Sequence, residues 1–238
     1  MSTLRYSQYV GRNKAGERDY KVRPKRVLVA CEFSGIVRDA FLDRGFDAIS
    51  CDLLPSDSDR GKSRHYQGNV LDIIGEEWGL VIAHPPCTYL CNSGVRWLHT
   101  RLGRWEQMKW GALFFKSLFE ANTPRVCVEN PIPHKYAIEI IGTKYSQIIQ
   151  PWQYGHGETK ATCLWLRNLP PLHPTNIVPG REGRIFRLPP GPNRSKLRST
   201  TYKGVALAMA EQWGALLNNE SGFTSANTAI AKRSTASP

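Results

Sequence analysis

At 238 residues, with 41% hydrophobic content and seven Trp residues, the chain is large enough to bury a real core in one α/β domain or two small ones. It has no apolar run near the ~18 residues a bilayer demands, and its polar, basic N-terminus lacks the apolar core of a signal peptide, so a cytoplasmic protein without a membrane partner is expected. The formal net charge of +12 favours polyanions, nucleic acid first.

The charge is unevenly spread. Residues 1–26 hold eight Lys or Arg against Glu17 and Asp19, and residues 181–203 hold Arg181, Arg184, Arg187, Arg194, Lys196, Arg198 and Lys203 against Glu182 alone. Two basic clusters flanking a neutral middle suit phosphate contacts. The six cysteines, at 31, 51, 87, 91, 127 and 163, show no metal-like spacing, so free thiols in a reducing compartment are expected.

In chain order, residues 1–24 read as a flexible basic arm. Arg26 to Cys31 is a strand, closed by Glu32-Phe33-Ser34-Gly35. Ile36, Val37, Ala40 and Phe41 recur at helical spacing, with Gly45 as a stop, and Phe46 to Cys51 forms a second strand ending at Asp52. A glycine-bearing turn after the first strand and an acid after the second suit an adenosine-containing cofactor. Only Gly35 is present, with Val37-Arg38 where further glycines would stand, so a cofactor without phosphates fits better than one with a pyrophosphate. A plain α/β sheet without a cofactor stays open on this evidence. Residues 55–64 read as loop, and 67–74 as a third crossover. Across 104–121 the apolar positions Trp105, Met108, Trp110, Leu113, Phe114, Leu118 and Phe119 predict a long helix with these side chains in the core. Residues 146–151 and 162–166 read as strands, 169–192 as a proline-rich loop with Phe186 between Arg184 and Arg187, and Val205 to Trp213 as a closing helix. Residues 218–238 are rich in Ser, Thr and Ala and read as a disordered tail.

Residues 80–94 stand apart. Leu80-Val81-Ile82-Ala83 suits a strand buried on both faces; it stops at His84-Pro85-Pro86, a stiff extended elbow, and delivers Cys87 to the edge where parallel sheets hold ligands. Arg125-Val126-Cys127-Val128 is a further buried strand ending in Glu129-Asn130, whose carboxylate belongs in the same crevice. A thiol on a rigid turn beside a carboxylate is a candidate nucleophile with an acid–base partner. Cys91 reads as a small buried residue and His84, a lone histidine, as structural.

This constellation resembles the DNA cytosine carbon-5 methyltransferases, over roughly residues 25 to 215. Phe33-Ser34-Gly35 looks like the first half of that family's cofactor turn, Asp52 like its ribose-binding acid, and Asn69 like the group reading the adenine amine. Pro86-Cys87 followed by Ser93-Gly94 is similar to its nucleophile segment, and Glu129-Asn130 to its Glu-Asn pair. Gly111 to Phe115 resembles the helix supporting the cofactor methionine, the stretch from Tyr154-Gly155 through Lys160 to Leu166 its cation-bearing strand, and Gly204 to Trp213 its last helix. The resemblance implies a mostly parallel, Rossmann-like methyltransferase fold over residues 25–217 with helices on both faces, S-adenosylmethionine as cofactor, DNA (double- or single-stranded) as substrate, and a compact, phage-like monomeric enzyme.

By that likeness Cys87, Glu129 and Lys160 are catalytic. Phe33, Ser34, Gly35, Asp52, Asn69 and Pro85 face the cofactor, while Pro86, Ser93, Asn130, Arg184, Arg187, Arg194 and Arg198 face the DNA. A thiolate of Cys87 adding to carbon 6 of cytosine makes carbon 5 nucleophilic towards a sulfonium methyl; Lys160 or nearby helix termini would help the thiol ionise, and Glu129 would relieve charge at ring nitrogen 3. Thr88 replaces the family's glutamine, one cation survives of its paired arginines, and residues 167–201 stand in place of a full target-recognition domain. Low or short-site specificity follows. The alternatives are a non-catalytic or regulatory DNA-binding relative of the same fold, and an exocyclic-amine DNA methyltransferase, which the thiol at the place of that class's aromatic disfavours.

Overall fold

A computed structural model describes residues 11–12, 18–19, 23–192 and 194–234, with side chains over 25–218 apart from 193. The N-terminal residues contribute one short antiparallel pair, β1 (Gly11–Arg12) with β2 (Arg18–Asp19). The rest of the arm expected over 1–24, and the side chains beyond 218, lie outside the described residues.

Seven strands form one sheet: β3 (Arg23–Ala30), β4 (Asp47–Asp52), β5 (His65–Gln67), β6 (Trp78–Ala83), β7 (Val126–Pro131), β8 (Gln147–Ile149) and β9 (Thr162–Arg167). Their spatial order is β5-β4-β3-β6-β7-β9-β8. The first five run parallel, while β9 is antiparallel to both neighbours. This is a Rossmann-like α/β fold, with chain order reversing between β3 and β6, where such sheets bind ligands. The central strands read as unbroken apolar runs because both faces are covered: every residue of β6 is buried.

Period-two alternation divides the core. Leu28, Ala30, Val81, Ala83, Val126 and Val128 face α3 (Arg104–Phe119) and α4 (Lys135–Ile141). Val27, Val29, Leu80, Ile82 and Cys127 face α1 (Ile36–Leu42) and α7 (Lys203–Ser234), where Phe41 and Trp213 are fully buried. Between α1 and α3 lies the short α2 (Gly61–Arg64). The loop before α7 carries two more short helices, α5 (Arg184–Arg187) and α6 (Arg194–Ser199).

The expected core face of α3 needs correction. Its buried stripe is Arg104, Met108, Ala112, Phe115 and Leu118, steps of four and three. Trp110 and Leu113 fall outside that stripe and are 74% and 51% exposed. The aromatic and aliphatic residues on α3 outnumber the positions one helical face can bury.

α7 begins against the loop after β8. Gly204 N–H donates to His156 Nε2 at 3.1 Å, and a Cβ on Gly204 would collide with the Tyr154 carbonyl oxygen. Backbone cannot yield as a flexible side chain does, so Gly204→Ala is expected to cost about 3 kcal/mol of stability. Differential scanning calorimetry should then show Tm falling by about 10 °C.

Candidate active site

Strand register sets the site. Ala30 pairs with Cys51 and with Ala83, and Ala83 pairs with Val128. One step further along these strands come Asp52, Cys31, His84 and Glu129, a row across the carboxyl edge of the sheet. Glu129 continues its ladder with β9, opposite Leu164, and leaves its other side to His84. His84 Nδ1 lies 3.1 Å from Glu129 Oε2, their side chains 6% and 16% exposed. Burial pushes the Glu129 carboxyl up, but the His84 hydrogen bond, the His84 charge and Lys160 together bring it below its ordinary range. His84 Nε2 is buried with no hydrogen-bond partner among the described residues. The charge of His84 also falls on Glu32, which burial pushes upward. The histidine that read as structural therefore sits between two carboxylates. The available signal was its register: one residue beyond β6, as Glu129 is one residue beyond the parallel pairing of β7.

The elbow is clamped. Asn130, 1% exposed, donates from Nδ2 to the Pro85 carbonyl at 2.9 Å, so these two residues hold each other. Pro86 is exposed. The Cys87 carbonyl accepts from Leu90 N at 3.0 Å and Cys91 N at 3.1 Å, a tight turn that brings the thiols of Cys87 and Cys91 together. Arg104 fixes the turn from α3, donating to Thr88 O at 2.6 Å and lying 4.3 Å over the Tyr89 ring. Cys91 Sγ is 3.2 Å from Ser93 Oγ. Within the pair, the hydrogen bond with Cys91 and then burial push the Cys87 thiol up, while the hydrogen bond from Cys87 draws Cys91 down; Arg198 favours the thiolate at both. The shared hydrogen bond thus sets the two thiols apart, with Cys91 the more acidic of the pair.

The cation beside the thiols is thus Arg198, not Lys160. Lys160 donates to the carbonyls of Arg198 at 2.8 Å and Thr200 at 3.4 Å, and its charge falls on Glu129. It ties the 198–200 segment over the crevice. α6 completes this strap: Lys196 donates to Asp57 at 2.7 Å and lies 5.3 Å over the Phe33 ring. The cleft beneath, lined by Glu129, Lys160, Thr162, Thr201, Tyr202 and Val205 among others, has a volume of about 20 Å³, room for about one water. Of the remaining arginines, Arg184 pairs with Glu158 at 3.2 Å and Glu182 at 3.6 Å, Arg194 donates to Leu188 O at 2.8 Å, and Arg187 stands exposed at the end of α5.

The turn after β3 is built around Gly35, at φ +74°, where a Cβ would collide with the Arg38 guanidinium. Arg38 is fully buried and donates to Ser50 Oγ at 2.9 Å, filling space that extra glycines would leave open. Glu32 accepts from Val37 N at 2.7 Å and Arg38 N at 3.2 Å, while Ser34 Oγ donates to Glu32 at 3.2 Å. Asp52 uses Oδ1 to accept from Leu54 N at 2.9 Å, and Asn69 Oδ1 accepts from Leu71 N at 3.1 Å. Phe33 gives an apolar platform, Asp52 Oδ2 an acceptor and the Asn69 amide a donor, a set suited to a nucleoside-bearing cofactor without phosphates. Among the described residues there is no cluster of metal-ligating side chains, and no helix is long and apolar enough to cross a membrane.

No family model matches the chain, and no curated protein matches it. Among solved structures, one from E. coli described as a candidate DNA modification methyltransferase encoded within a prophage matches 65% of this chain and 52% of its own, at 14% identity and a TM-score of 0.42. The chain spans about half the length of that structure.

Proposed function

We propose that the chain is a DNA methyltransferase that uses Cys87 as a nucleophile to methylate carbon 5 of cytosine. One observation carries this reading: the Cys87 turn and the His84–Glu129 pair occupy the same carboxyl edge of a mostly parallel sheet, beside the point where its strand order reverses. Bound S-adenosylmethionine would supply an electrophilic methyl group, held by Phe33, Ser34, Gly35, Asp52 and Asn69. Arg198 favours the thiolate at both sulfurs, and Cys87 becomes the thiolate when its proton passes to Cys91. The Cys87 sulfur adds to carbon 6 of the ring, and Glu129 delivers a proton to nitrogen 3 as negative charge develops there. His84 Nδ1, 3.1 Å from Glu129 Oε2, is placed to exchange a proton with that carboxyl. Once carbon 5 carries the methyl group, solvent takes the carbon-5 proton, nitrogen 3 returns its proton to Glu129, and the carbon 6–sulfur bond breaks to release the thiolate.

The target base must leave its stack to reach this edge, at a cost of a few kcal/mol. The narrow cleft under the strap requires residues 198–202 to lift as the base enters, with the Lys160 contacts as the hinge fixings. Basic residues of the loop, Arg187 and Arg194 among them, then meet phosphates. No large recognition region stands between β9 and α7, which supports short-site or low specificity.

The test is incubation with methyl-labelled S-adenosylmethionine and cytosine-containing DNA, followed by digestion to nucleosides. Label in 5-methyldeoxycytidine is the expected result. Label on an exocyclic amine replaces the mechanism with amino-group transfer, and DNA binding without any transfer makes the chain a non-catalytic relative.

A further inference from the structure

A second cavity lies beside the Cys87 turn and takes no part in the chemistry above. We infer that this cleft is a subsite for a neighbouring nucleotide of the bound DNA strand, stacking its base and holding its phosphate. The inference rests on the reading of DNA as the substrate. The cleft has a volume of about 360 Å³ and is lined by Asn92, Val95, Arg96, His99, His134, Lys135 and Tyr136. That volume falls in the range of small-ligand sites, roughly 300–1,000 Å³. No carboxylate lines it, and Arg96 and Lys135 are exposed at its rim.

Its walls carry aromatic surface. Tyr136 meets His99 at 6.1 Å, Trp105 at 4.9 Å and His134 at 5.9 Å between ring centroids, all edge-on. These edge contacts hold the half-buried Tyr136 ring in one orientation, with Lys135 Nζ 5.0 Å from its centroid. A base slid over that ring would replace the flexible lysine and free its ammonium for the adjoining phosphate. His134 is fully used, its Nε2 donating to Tyr89 O at 3.0 Å and its Nδ1 accepting from Ala137 N at 3.1 Å, so it shapes the floor.

The position fits a strand leaving the reaction crevice. Asn92 follows Cys91 directly, and its N–H donates to Ile132 O at 2.8 Å, while His134 N–H donates to Leu90 O at 3.0 Å. The Cys87 turn is therefore pinned through its backbone to the segments that line this cleft. Aromatic rings joined to two cations are the chemistry of a single-strand stacking platform, tolerant of sequence because every base has a π-face.

The experiment uses the full chain, without cofactor, and a short single-stranded DNA carrying 5-bromodeoxyuridine next to a cytosine. Irradiation is expected to crosslink the bromo-base to a peptide containing His99 or Tyr136, and the double variant Arg96→Gln/Lys135→Gln should bind about tenfold more weakly, with a salt slope shallower by about one or two. Crosslinks confined to 181–203, or unchanged affinity and salt slope in the double variant, overturn the subsite. Failure of the wild-type chain to bind DNA overturns it together with the proposed function. Binding and crosslinking as expected, without methyl transfer, uphold the subsite and remove the proposed reaction alone.

Discussion

Cys87→Ser is expected to lower methyl transfer by about three orders of magnitude or more, because the oxygen of serine has no base placed to ionise it and no other step can activate carbon 5. DNA containing 5-fluorocytosine should form a covalent complex with the wild-type chain that survives denaturation, since fluorine blocks the loss of the carbon-5 proton. The complex should be absent in Cys87→Ser. Cys91→Ser gives the complementary result. It removes the thiol whose hydrogen bond and charge push the Cys87 thiol up, leaving burial and Glu129 against Arg198. Its pH profile for transfer should therefore shift downward, with the rate at neutral pH kept or raised, as expected when more of the thiol is ionised. An adduct that persists in Cys87→Ser and disappears in Cys91→Ser moves the nucleophile to Cys91; undiminished transfer in both removes thiol chemistry from the reaction.

How much of this site could be seen in the sequence depended on whether the cause was local. The strands at 27–30, 80–83 and 126–128 were legible because burial on both faces leaves continuous apolar runs, and Pro85-Pro86 marked where β6 must stop. With the strand ends fixed, Asp52, Cys87 and Glu129 fell to one edge by parallel geometry alone. The role of Arg198 was not legible. Its approach to the thiols depends on Lys160 gripping carbonyls 38 and 40 residues away, a tertiary contact with no local pattern. Trp110 and Leu113 misled because an apolar residue marks a core face only when the stripe has room for it. Arg38 shows how a departure from a glycine-rich turn can be filled: its buried guanidinium occupies the space behind Gly35 and fixes that turn through Ser50.

The strap and the closed cleft bear on target choice. With residues 198–202 tied down by Lys160, and Lys196 bridging Asp57 and Phe33, the same segment covers both the proposed base pocket and the proposed cofactor platform. In the proposed reaction, phosphates drawn to Arg187, Arg194 and Arg198 would pull on that segment, so DNA binding would open the pocket. Selection would then depend on which strand can lift the strap and unstack a base, a criterion of shape and flexibility more than of base edges.

The His84–Glu129 pair gives the second large effect. Glu129→Gln keeps the size of the side chain but cannot pass a proton to nitrogen 3, and should lower kcat about a hundredfold or more with binding of DNA retained. His84→Ala removes both the hydrogen bond and the charge that hold the Glu129 carboxyl low; burial then prevails over Lys160 alone and the carboxyl moves up. kcat should fall about tenfold to a hundredfold with KM little changed, and its pH profile should shift upward with the carboxyl. The stability effect has a definite sign. A carboxyl held lower in the folded chain than in the unfolded chain stabilises above the unfolded value, 4.5, and this contribution is lost as pH falls through the folded value. Urea titrations should therefore show His84→Ala less stable than wild type at neutral pH, with the gap narrowing as pH falls below about 4.5. A variant with unchanged kcat and an unshifted profile, however unstable, would return His84 to a packing role and require another source for the proton at nitrogen 3.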